Sequence, residues 1–230
     1  MEAQEFVFYT LLLLFGCVAL GFIISFAPLY ISGLSRYRIQ DKKIQPNSFY
    51  KRLPLIAINT VLLFILSGIG LYLLFPIFNA SMDTHIGSAI IQVLIIMVFD
   101  DLYFYFYHKW LHDNKKLLKS IHSIHHRTTA PLAMDYLYVH PLEWLIGFLG
   151  PFIGILSIAF FTEVSICGFW TYQLIRTLHE IDVHSGFKSV LSSSIPFWGE
   201  TEHHDMHHEV PNGNYASTFT IWDQLFGTKM

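Results

Sequence analysis

The stretch IGSAIIQVLIIMVFDDLYFYFYHKWLHD, Ile86 to Asp113, joins an apolar run to a pair of histidines. From Ile86 to Tyr107 the run reaches the ~20 residues that a helix needs to cross a bilayer. His108 and His112 follow, four residues apart, a spacing that stacks both rings on one face of a helix. A membrane span therefore delivers two imidazoles to one edge of the bilayer.

The rest of the chain repeats the apolar theme. Of its 230 residues 53% are hydrophobic and 13% charged, against roughly 25% charged in an ordinary soluble domain. Further runs of membrane length cover Phe6–Ile31, Leu53–Phe78 and Leu142–Phe161. A shorter run, Val164–Leu178, carries Thr171, Gln173 and Arg176, and is compatible with crossing, re-entering or lining a protein interior. The expected fold is an all-α integral membrane protein of four to five transmembrane helices with a histidine-rich helical cap. Acidic Glu2 and Glu5 precede the first run, which is too long for a signal-peptide core and is expected to be a retained anchor. Two cysteines, Cys17 and Cys167, provide neither a disulfide framework nor a thiolate metal site. A net charge of −3 with dispersed lysines gives no electrostatic case for nucleic acid.

Charge also orients the chain. The loop Ser35–Arg52 holds six basic residues and the connection Asn79–His85 none, so the first loop is expected on the cytoplasmic side and the N-terminus outside. Alternating the spans puts residues 108–141 inside, and the tail as well if the short run crosses. All fourteen Lys and Arg then fall on that side, with every histidine except His85. No repeat or Gly/Ser linker divides residues 1–230, so one membrane domain is expected, its catalytic core at about residues 100–228.

The histidines recur in three sets. In IHSIHHRTT, Ile121–Thr129, His122, His125 and His126 have i, i+3, i+4 spacing, and in EHHDMHH so do His204, His207 and His208. Packed together without metal, these rings would leave many nitrogens unpaired or would repel on protonation. Eight imidazoles exceed the need of one ion, so two metals are implied, and imidazole suits zinc, copper, iron and nickel alike. The metalloprotease H-E-x-x-H is missing. So is the soluble di-iron pattern, because only Glu200 and His203 have its Glu-x-x-His spacing.

These boxes, H-x3-H, H-x2-H-H and a later H-x2-H-H, resemble the membrane-bound fatty acid hydroxylase/sterol desaturase superfamily over roughly Asp100–Thr228. Three longer strings, APLAMDYLYVHPLE, EIDVHSGF and GNYASTFTIWDQLFGT, resemble its C-4 methylsterol monooxygenase branch. The resemblance implies a non-haem di-iron centre that turns dioxygen against an unactivated C–H bond. It implies as ligands His108, His112, His122, His125, His126, His204, His207 and His208, with His184 of the VHSG string and His140 of the VHPLE string as ninth and tenth. His203 is read as a hydrogen-bonding neighbour, and His85 and His179 as ordinary polar residues. Asp101, seven residues before His108, and Glu180, four before His184, are candidates to orient ring N–H groups. The aromatic C-terminal string is expected to close over the histidine helices.

Two electrons per turnover must come from outside, since neither a nucleotide fingerprint nor a cysteine cluster is present. The expected supply is NAD(P)H through a separate cytochrome b5-type or ferredoxin donor with its reductase, in the endoplasmic reticulum of a eukaryote or the inner membrane of a bacterium. A hydroxylase or desaturase acting elsewhere on a sterol or fatty chain is the nearest rival reading. A zinc-dependent membrane hydrolase or a metal transporter is more remote, since transport sites lie near the midplane and these histidines flank the spans on one side.

Overall fold

The computed structural model describes residues 1–40, 44–189 and 194–230. Lys42 and Lys43 of the basic loop lie outside the described residues. The helices are α1 (Ala3–Tyr30), α2 (Pro46–Tyr50), α3 (Leu53–Leu74), α4 (Ile86–Asp113), α5 (Lys115–Ser120), α6 (Pro141–Gly147), α7 (Gly150–Ala159), α8 (Ile166–Val183), α9 (Thr201–Glu209) and α10 (Ile221–Leu225). Two short 3₁₀ segments, His122–Arg127 and Ala133–Leu137, lie between α5 and α6. Helix starts follow local chemistry: the Asn114 side chain accepts from Lys116 N and Leu117 N, and Ser165 Oγ accepts from Gly168 N at 3.1 Å.

Four segments are long and apolar enough to cross a membrane: Ala3–Tyr30, Leu53–Ile77, Ile86–Asp113 and Pro141–Ala159. The fourth, expected as one helix, is broken into α6 and α7 around Phe148 and Leu149. Pro151 is the physical reason, because it offers no N–H to continue α6 and starts α7 instead.

The spans are arranged with their polar groups inward, as a bilayer requires. Leu73, Ile86 and Phe161 face outward, while Thr10, Ser25, Asn59, Ser67 and Gln92 are buried. Each of four inward groups ties two elements together. Asn59 Nδ2 donates to Leu137 O at 2.8 Å and Val139 O at 2.9 Å, and Ser25 Oγ accepts from Met134 N at 2.8 Å. Trp170 Nε1 donates to Thr10 Oγ1 at 2.8 Å, and Gln92 Oε1 accepts from Ser165 N at 2.7 Å. α7 lies against α4 because Gly154 has no Cβ; one added there would sit 2.7 Å from Ile96 Cα.

The short run of uncertain depth traverses the bundle. At the start of α8 a two-residue strand β2 (Val164–Ser165) pairs in parallel with β1 (Phe78–Asn79), beside the N-terminal amine, which donates to Ala80 O at 2.9 Å. Its other end reaches His184 and the first loop, where Ile39 N donates to Gly186 O at 2.9 Å. Eighteen residues of α8 correspond to ~27 Å of helix. Arg176 and Glu180 keep its lower half from the apolarity of an ordinary span, and both are shielded inside the protein. The four candidate spans and α8 thus leave residues 31–40, 44–52, 114–140 and 194–230 together at one end of the bundle, opposite the N-terminus.

Candidate metal centre

α4 carries His108 and His112 at its last turns, the 3₁₀ segment after α5 carries His122, His125 and His126, His184 caps the end of α8, and α9 carries His204, His207 and His208. Their rings gather into two groups, His108, His112, His122, His126 and His207 in one and His125, His184, His204 and His208 in the other. Within each, one ring nitrogen per residue lies within 4.8 Å of all the rest.

The spacing inside each group is what a shared cation would impose. Nε2 of His108 lies 3.1 Å from Nε2 of His122, and His126 Nε2 lies 3.2 Å from His112 Nε2 and 3.0 Å from His122 Nε2. In the second group His204 Nε2 is 3.0 Å from His184 Nε2 and 3.1 Å from His208 Nε2. Ligands at a metal–nitrogen distance of ~2.1 Å and right angles to one another stand about 3.0 Å apart.

Outer contacts decide which nitrogens carry hydrogen. His108 Nδ1 faces Tyr215 O at 2.8 Å, His207 Nδ1 faces Gly213 O at 2.7 Å and His184 Nδ1 faces Glu180 O at 2.9 Å. His122 Nδ1 faces Glu143 Oε1 at 2.7 Å. Each acceptor requires an N–H on that side, so the Nε2 lone pairs point at one another. Converging lone pairs repel, and a cation between them removes the conflict. Burial keeps the rings neutral: it lowers His122 and His126 to about 3 and pushes His125, His204, His207 and His208 well below the usual imidazole range. Neutral, all-nitrogen donor sets of five and four fit two divalent transition-metal ions.

The remaining expectations land in different places. His140 belongs to neither group; its Nδ1 accepts from Leu142 N at 3.1 Å and caps α6, where Pro141 follows it. Asp101 touches no histidine and is displaced from the role expected of it. Its carboxylate accepts from Thr218 N, Phe219 N and Trp222 Nε1, each at 2.8 Å, and so anchors the C-terminal string to α4. The two-turn offset from His108 places Asp101 on the same helix side but too far along the axis to reach that ring. Glu180 Oε2 lies 3.6 Å from His184 Nδ1, and Oε1 accepts from Ser217 Oγ at 2.8 Å and from Arg176. His203 Nε2 lies 3.2 Å from Asp223 Oδ2, His179 Nε2 lies 3.2 Å from Ser217 O, and His85 caps α4 by accepting from Gly87 N at 3.2 Å.

Sequence reasoning missed Glu143 and the carbonyls of Gly213 and Tyr215. Glu143 sits one turn into the helix that His140 caps, so a carboxylate inside the VHPLE string was the available signal. Backbone carbonyls leave none. Their placement comes from Asp223, whose carboxylate accepts from Tyr215 N at 2.8 Å and Ala216 N at 3.0 Å.

A cavity of about 170 Å³ opens above the histidines. His108, His122, His125, His184 and His204 form its floor, and Leu63, Phe104, Leu111, Leu137, Trp144 and Phe148 its apolar walls. It reaches Asp100, eight residues up α4 from His108, or ~12 Å into the bundle. There Asp100 Oδ2 accepts from Tyr172 Oη at 2.8 Å and Arg176 Nε at 2.9 Å, so the charges at that depth are paired.

Comparison with known proteins agrees with this arrangement. The fatty acid hydroxylase family model matches residues 93–228. Methylsterol monooxygenase 1 of Rattus norvegicus is 36% identical over 227 residues, covering 90% of this chain and 70% of the relative. A putative methylsterol monooxygenase of Dictyostelium discoideum is 32% identical over 226 residues, covering 93% and 78%. A very-long-chain aldehyde decarbonylase of Oryza sativa is 39% identical over 149 residues, covering 63% and 54%. No solved structure matches. With its family match spanning the residues that build both histidine groups, this chain belongs to the fatty acid hydroxylase family.

Proposed function

We propose that the protein is a membrane-bound non-haem di-iron monooxygenase that oxidises the C-4 methyl group of a sterol. The observation that carries the reading is the opening of two all-histidine groups onto an apolar cavity inside a membrane bundle, in a chain whose relatives across most of its length are named methylsterol monooxygenases. His108, His112, His122, His126 and His207 would hold one iron and His125, His184, His204 and His208 the other. When bound, the pair supplies the activation of dioxygen and the removal of hydrogen from an unactivated carbon. The balance is one methyl group, one dioxygen, two electrons and two protons giving one hydroxymethyl group and one water.

The chain's own part is orientation and exclusion. Glu143 Oε1 and the Glu180 backbone carbonyl fix the ring planes of His122 and His184, and the Glu180 carboxylate brings negative charge beside His184. Phe104, Leu111 and Leu137 keep water from the reacting carbon, and a rigid ring system held between such walls presents one carbon repeatedly. Successive oxidation through alcohol and aldehyde to carboxylate follows from that constraint. The basic loop Ser35–Arg52 supports a cytoplasmic location for this end of the bundle, where NAD(P)H-fed one-electron carriers of the cytochrome b5 or ferredoxin kind would supply the electrons.

The test supplies a reduced carrier, dioxygen and a 4,4-dimethylsterol to iron-loaded protein in lipid nanodiscs. The expected product by mass spectrometry is the C-4 hydroxymethyl sterol followed by the carboxysterol. One observation favours a second reading, the likeness to a relative named for very-long-chain aldehydes. An untouched sterol together with an oxidised fatty chain would establish that reading instead.

A further inference from the structure

Burial is uneven across the two histidine groups. Eight of the nine rings are buried, and His126 alone is half-buried, so the centre comes nearest to solvent at that ring. The chain around it is basic. Lys115, Lys116 and Lys119 of α5 are exposed, and so is Arg127, which directly follows His126. Between His108 and Met134 the only acidic residue is Asp113, and Lys109 Nζ holds its carboxylate at 2.5 Å. Among the described residues none of the four exposed cations makes an ion pair. α5 is also the piece of chain that joins His112 to His122, so these charges ride on the segment between two sets of ring donors.

The geometry points to this surface, α5 and Arg127 around the edge of His126, as the docking face for an acidic, soluble one-electron carrier. The inference rests on the monooxygenase reading, in which each turnover takes two electrons from outside, one per docking event. A predominantly basic patch steers an oppositely charged partner and raises its association rate by roughly 10–10³-fold at low salt. An anionic bilayer surface is the rival occupant. The position of His126 favours the carrier, since electron delivery requires closeness to a metal-holding ring and headgroup binding does not.

The experiment uses iron-loaded full-length protein in neutral phosphatidylcholine nanodiscs and follows its reduction by stopped flow. The probes are the reduced haem domain of a cytochrome b5 and, separately, a reduced [2Fe–2S] ferredoxin. The variant is Lys115→Glu/Lys116→Glu/Lys119→Glu, with the exposed Lys229→Glu as control. At an ionic strength of about 0.02 M, where screening is weak, the triple variant should be reduced at least ~10-fold more slowly than wild type by whichever carrier wild type accepts. The wild-type rate should fall with added salt and the variant's should not. Dithionite, which needs no docking, should reduce both proteins equally, and Lys229→Glu should match wild type. A triple variant within about 3-fold of wild type for that carrier overturns the proposal, because the loss is then smaller than steering predicts. So does a deficit confined to nanodiscs containing anionic lipid, which would assign the patch to headgroups. Chemically pre-reduced wild type given dioxygen reports on the monooxygenase reading by itself: no oxidised lipid in a single turnover overturns that reading, whatever the docking rates.

Discussion

Asp101→Asn separates two roles for a buried carboxylate in the histidine-bearing half of α4. As a partner of the metal-holding rings, Asp101 would control metal affinity; in the structure it instead holds the C-terminal string through three 2.8 Å hydrogen bonds, from Thr218 N, Phe219 N and Trp222 Nε1. Asparagine keeps one acceptor oxygen. If that oxygen stays with Thr218, the new amide NH₂ faces Phe219 N and Trp222 Nε1, the two donors that Oδ2 satisfied. Each buried donor left without a partner costs about 1–3 kcal/mol, so the pair sums to roughly 2–6 kcal/mol, with about 3 kcal/mol as the working value. For a chain of this size that lowers the midpoint of thermal unfolding by about 6–12 °C. The assay is thermal unfolding in nanodiscs, paired with elemental analysis of the same samples well below the transition. The expected variant is less stable and still binds two metals per chain. Loss of metal at an unchanged unfolding temperature would refute the reasoning and return Asp101 to the histidine shell.

Other outcomes follow from the same contacts. Glu143→Gln alters the carboxyl partner of His122 and should weaken metal binding about 10–100-fold, read by competition with a chelator, with the second group less affected. His125→Ala takes one of four donors and should reduce the metal content toward one per chain and abolish oxidised product; two retained metals with full turnover would exclude His125 as a ligand. His140→Ala should keep both metals and lose only about 1 kcal/mol of helix-cap stability, measured by chemical unfolding. Burial lowers His122 and His126 to about 3, against about 6.5 when unfolded. Their contribution is therefore complete above pH 6.5 and is lost as pH falls toward 3, because the unfolded chain takes up protons that the folded one refuses. Between pH 6.5 and 5 the two rings together should cost metal-free protein roughly 3 kcal/mol, and a flat stability profile over that range would contradict their burial.

The spans and eight of the nine gathered histidines were legible because both signals are local: apolar length for a helix in lipid, and i, i+3, i+4 spacing for rings on one face; the ninth, His184, was given only by the family resemblance of its VHSG string. What was not legible depends on contacts distant in sequence. Thr171, Gln173 and Arg176 left the depth of the run Val164–Leu178 open, because the pairing of the Arg176 charge with Asp100 on α4 and with Glu180 is not visible in the sequence. Nothing near either residue in sequence announces that pairing. Asp101 and His108 share a side of α4, but sharing a side over two turns is not contact, and the carboxylate found its donors 117 to 121 residues away. His140 shows the converse, since a histidine before proline at a helix start has a capping role that needs no metal.

Two neighbouring pairs in the chain divide their loyalties. His125 belongs to one group and His126 to the other, and His208 and His207 are split in the same way. A single peptide unit at each place thus sets the aim of two rings that would serve different ions. Filling either group freezes the backbone at both junctions and pre-pays the ordering cost of two donors across the boundary. Uptake of two metals would in this sense be one event taken in halves: the second ion would meet donors that the first had already fixed, so protein carrying one ion should be scarcer than independent filling would give.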